Sequence, residues 1–96
     1  MIPERFKDFL STLYEKTANG EYKWNFDGKK ADLITTTFSI SIWYNFDHDR
    51  ESGYLGVSYN YNNTPYTFFE YESERDYDFL RMIYDAVKIS NLQFPF

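Results

Sequence analysis

Between residues 33 and 46 the chain alternates. Ile34, Phe38, Ile40, Ile42, Tyr44 and Phe46 fall on one side, and Thr35, Thr37, Ser39, Ser41, Trp43 and Asn45 on the other. A period of two is the signature of a strand whose two faces meet different surroundings. Strands of a parallel sheet are covered on both sides and read as unbroken apolar runs. The small polar residues here instead predict an antiparallel sheet with one face in the core and one open. The rest of the chain has to cover the apolar side.

Two segments have the pattern for that. Over residues 3–17, Phe6, Phe9, Leu10, Leu13 and Tyr14 follow helical spacing, with Pro3 suited to the first helical position and Gly20 to a stop. Over 74–90, Tyr77, Leu80, Ile83, Tyr84 and Val87 make a second stripe. Ser73 is placed as its N-cap, with Asp76 three residues on as in a capping box. Strands are expected at 21–26 (Tyr22, Trp24 and Phe26 on one side), 33–46, 54–61 and 66–71. Asp27-Gly28, the polar loop 47–53 and the cluster Asn62-Asn63-Thr64-Pro65 supply the turns. The facing of 66–71 is open, because Phe68 and Phe69 are adjacent. The expected fold is one α+β domain over 1–96: a four-stranded antiparallel meander, order αββββα, with both helices on one face. The apolar tail 92–96, broken at Pro95, is expected to pack back on the body or on a partner.

Ninety-six residues make a small domain with difficulty filling a core. With no cysteine, neither disulfides nor thiolate metal sites can help. Ten tyrosines, ten phenylalanines and two tryptophans supply the apolar area instead. No apolar run approaches a membrane span, and the charged start lacks the apolar stretch of a signal peptide. A cytoplasmic protein is expected.

The residues that carry chemistry are sparse. His48 is the sole histidine, in Asp47-His48-Asp49-Arg50-Glu51-Ser52-Gly53. That run begins like a calcium loop but puts glycine at the seventh place and Ser58 at the twelfth, so a solvated hairpin loop is expected. Ser52 beside His48 lacks any sign of a pocket or an oxyanion hole. Glu70 and Glu72 share one face of a strand, a spacing that fits paired carboxylates and equally an exposed strand edge. The four glycines are too dispersed for a phosphate loop. No enzyme, cofactor or metal is expected. Fifteen acids against ten bases give a net charge of −5, and only Lys29-Lys30 are adjacent bases. Direct nucleic-acid binding, which wants a basic stripe, is disfavoured, whereas a basic protein partner is favoured.

Two surfaces remain as candidates for partner binding. One is the open sheet face, where Trp43 and Tyr54 stand by parity among Ser39, Ser41, Ser58 and Asn60. The other is the acidic run Glu70, Glu72, Glu74, Asp76 and Asp78. The alternative to docking is that Trp43 covers a neighbouring strand, and that the acids are a solvated strand end with a favourable helix N-terminus.

The run Lys16-Thr17-Ala18-Asn19-Gly20-Glu21-Tyr22-Lys23-Trp24, with the step from Leu80 to Tyr84, resembles a recurrent pattern of small, largely uncharacterised bacterial and prophage proteins. These carry an opening helix, Lys-Thr-x-x-Gly-x-x-x-Trp, a β-meander and a closing helix. The resemblance implies a bacterial or phage origin and a toxin-neutralising, anti-defence or other regulatory binding role. No catalytic residue comes with it. The expected function is a non-enzymatic interaction protein of the inhibitor or immunity type. A small-ligand or nucleotide-binding domain using aromatic stacking, or a structural homodimer, is the alternative.

Overall fold

The structure, a computed structural model, describes residues 2–90. Helix α1 runs Glu4–Ala18. It is followed by β1 (Asn25–Phe26), β2 (Lys30–Ile34), β3 (Phe38–Asp47), β4 (Ser52–Tyr61), β5 (Thr64–Tyr71) and helix α2 (Tyr77–Ser90). The five strands form one antiparallel sheet in sequence order. The α+β meander with terminal helices is therefore as expected, with one strand more.

The extra strand comes from dividing the segment 33–46. Thr35 Oγ1 accepts the N–H groups of Thr37 and Phe38 at 3.2 and 3.0 Å and donates to the Phe38 carbonyl at 3.0 Å, closing a turn. Three β-branched residues read as strand, but a threonine hydroxyl can also bond the backbone two and three residues on. The turn shifts the parity of what precedes it. Leu33 is buried and Ile34, expected inside, is 76% exposed. Phe46 and Tyr61 also fall outside the core, although they lie on the core-facing side of their strands. The segment expected as a strand from residue 21 is a regular strand only at 25–26.

The resemblance motif closes the joint between α1 and the sheet. Gly20 has φ +80°, a left-handed conformation. The N–H of Glu21 reaches the Lys16 carbonyl at 2.9 Å and that of Gly20 the Thr17 carbonyl at 3.1 Å, a Schellman ending. Thr17, buried, accepts the indole N–H of buried Trp24 at 3.0 Å. A buried indole N–H needs such a partner.

The core lies between the helices and one sheet face. Leu10 and Leu13 of α1, and Leu80, Ile83 and Val87 of α2, bury against Leu33, Ile40, Ile42, Leu55 and Val57. Phe6 and Phe9 extend the core with edge-to-face contacts to Tyr59, at 5.3 and 5.0 Å. The described molecule is 20 Å thin, room for one sheet and one helix layer. Neither of the described helices lies on the other sheet face.

Helix α2 begins at Tyr77, three residues later than expected. The Asp76 carboxylate does not act in a capping box with Ser73. It accepts the Ile2 N–H at 2.7 Å and pairs with Lys7 at 2.9 Å, tying the chain's start to the start of α2.

Candidate binding face

Cross-strand register sets the open face. One row runs Lys30, Trp43, Gly56, Phe69, and the next runs Asn45, Tyr54, Tyr71. On the other side of the first row lie Asp32, Ser41, Ser58 and Thr67. Rings therefore gather at one end and small hydroxyls at the other.

Trp43 and Tyr54 stand on this face, both half-buried. Trp43 lies over Gly56 so closely that a Cβ there would meet its ring at 2.5 Å. Trp43 thus covers the neighbouring strand β4, which was the alternative to docking, while its ring stays half-buried on the open face. Phe69, 49% exposed, meets Trp43 edge-on at 6.2 Å and Tyr54 at 5.6 Å. Tyr54 and Tyr71 are 5.2 Å apart. Arg50 sits 3.9 Å over the Tyr71 ring, a cation–π contact. The Tyr71 hydroxyl donates to Asp47 at 2.9 Å.

That bond and the backbone N–H of Arg50 hold the Asp47 carboxyl below its usual range. Asp47 also accepts the Asp49 N–H at 2.9 Å. The first residue of the calcium-like run is thus committed to closing the hairpin and pinning Tyr71. Among the described residues no cluster of three or more histidines and carboxylates is arranged to hold a metal ion. No described helix is long and apolar enough to cross a membrane.

Phe69, Tyr71 and Arg50 are part of the patch that sequence reasoning missed. The signal was the turn at Asn62-Asn63, whose φ values of 51° and 60° make a two-residue hairpin loop. That loop pairs Tyr61 with Thr64, and counting back pairs Gly56 with Phe69 and Tyr54 with Tyr71.

The acidic run divides. Glu70 points to the core side of β5 and is 1% exposed; Asp76 is 4% exposed. Burial removes both from the expected docking edge, and for Asp76 the reason is its grip on Ile2 and Lys7. Glu72 accepts the Gly53 N–H at 2.7 Å and Glu74 the Tyr71 N–H at 2.9 Å, so these exposed acids brace the strand end. Asp78 is exposed in the first turn of α2, where the helix dipole favours an acid. The five carboxylates thus do not form one exposed surface. The apolar tail 92–96 lies outside the described residues.

No family model, no curated protein and no solved structure matches the chain.

Proposed function

We propose that this protein is a non-enzymatic binding module that docks another macromolecule, a protein, through the open face of its sheet. The observation that carries the reading is the patch Trp43, Tyr54, Phe69 and Tyr71 on a sheet face that neither described helix covers. Aromatic rings give rigid contact area at small entropic cost, and they are enriched where interfaces bind tightly. The flanking serines and Thr67 supply a polar rim. The resemblance to small bacterial and prophage proteins supports an inhibitor, anti-defence or immunity-type role in the cytoplasm. The acidic balance supports a basic partner.

The test is affinity capture from host lysate with the wild-type chain and a Trp43→Ala, Tyr54→Ala variant. The reading expects a protein retained by the wild type and lost by the variant, with the variant still folded at the temperature of the assay. Equal capture by both would refute it.

A further inference from the structure

A second feature lies at the edge of the same sheet and does not depend on the docking reading. Strand β3 has ten residues and β2 five, and Lys30↔Trp43 is the last residue pair between them. Beyond that pair β3 stays paired with β4 but has no further strand partner on the β2 side. The step forms a recess of about 310 Å³, lined by Lys29, Lys30, Trp43, Tyr44 and Asn45. That is at the lower end of the volumes of small-molecule clefts.

Hydrogen bonds hold the backbone around the recess. Asp27 accepts the N–H groups of Lys29 and Lys30 at 3.2 and 2.8 Å, and Gly28 takes φ +99° to close the turn. The Tyr84 hydroxyl reaches out from α2 to donate to the Lys29 carbonyl at 2.7 Å. The Tyr44 N–H approaches the same carbonyl at 3.4 Å. Asn45 Oδ1 accepts the Phe46 N–H at 2.9 Å. Trp43, which borders the recess, rests its ring over Gly56 and meets Phe69 edge-on. Lys30 is half exposed and loosely paired with Asp32 at 3.9 Å, so it is not committed to a buried partner.

A pinned indole beside the sole adjacent pair of bases in the chain has a definite chemical complement. We propose that this recess binds a nucleoside monophosphate, its base stacked on Trp43 and its phosphate on Lys29 and Lys30. Stacking on an aromatic ring accepts any base, and two lysines supply point charges for a phosphate. The remaining bases are scattered, so there is no basic track along which a strand could continue; the site takes one nucleotide.

The experiment is a two-dimensional NMR titration of the wild-type protein with adenosine 5′-monophosphate, following the two indole N–H signals. Trp24 is buried on the helix side and serves as the internal control. The signals are assigned with Trp43→Phe. The proposal expects a saturable shift of the Trp43 indole and of Lys29–Ala31, with Trp24 unmoved. Adenosine alone and inorganic phosphate alone bind at least tenfold more weakly. Lys29→Ala with Lys30→Ala weakens binding at least tenfold while signal dispersion is kept, and Arg at both positions restores it. No shift overturns the proposal, as does equal movement of both indoles. Adenosine binding as tightly as its phosphate, or insensitivity to the lysine substitutions, also overturns it. The titration contains no macromolecular partner, so its outcome is independent of the capture experiment.

Discussion

Asp76 shows how a residue that reads as surface chemistry becomes structure. Its carboxylate holds the Ile2 N–H and Lys7, in that order of effect, and both keep its pKa below the usual range. A carboxyl group whose folded pKa is lowered stabilises the fold above its unfolded pKa, about 3.9. That stability is lost as pH falls through the folded value. Asp76→Ala is expected to cost about 3 kcal/mol at neutral pH, because it strands a buried N–H and a lysine. Denaturant titrations should show the variant losing less stability than the wild type as pH falls below about 4. In the sequence Asp76 was legible only as an acid near a helix start. Its partners are more than sixty residues away, and no local pattern reports such a contact. The same holds for Glu70, whose burial follows from a strand facing that adjacent phenylalanines left open. Gly56 was legible as a glycine on the open face but not as the seat of an indole. Gly56→Ala should displace Trp43 and cost about 1–3 kcal/mol, since a rigid ring must move. Thermal melts and a changed Trp43 fluorescence would check it.

The elements were legible where pattern alone decides them. Both helices followed from their apolar stripes, and β4 from its alternation. Turns made by side-chain chemistry were not. The Thr35–Thr37 turn depends on one hydroxyl, which propensity does not reveal, and it accounts for both the extra strand and the outward Ile34. The Asn62-Asn63 turn was legible as a turn from its residue types, whereas the register it sets depends on its two-residue loop. It is the element on which the aromatic patch depends, because it sets which residues of β5 stand beside Trp43 and Tyr54. Both asparagines hold positive φ. Asn63→Val, a branched residue there, is expected to cost about 1–2 kcal/mol, and Asn63→Gly to be tolerated. Chemical denaturation of the two variants separates the outcomes.

For the whole molecule, the central consequence is asymmetry. Two helices cover one side of a five-stranded sheet, and the other side carries rings at one end and hydroxyls at the other. The open face was legible from the parity of residues 38–46, and Trp43 and Tyr54 stand on it. The extent of the patch was not, because it is assembled across three strands. The acidic run offered the more conspicuous sequence signal, yet folding turns two of its members inward and uses two more as braces. Site-specific photocrosslinking in cells tests the docking face most directly. A photoreactive residue is placed at Ser58 or Phe69 on the sheet, and at Ser11 or Met82 on the helices, and adducts are resolved by mass. The account predicts a discrete adduct with another protein from the sheet positions alone. Adducts from the helix positions alone, or none from the sheet, would contradict it.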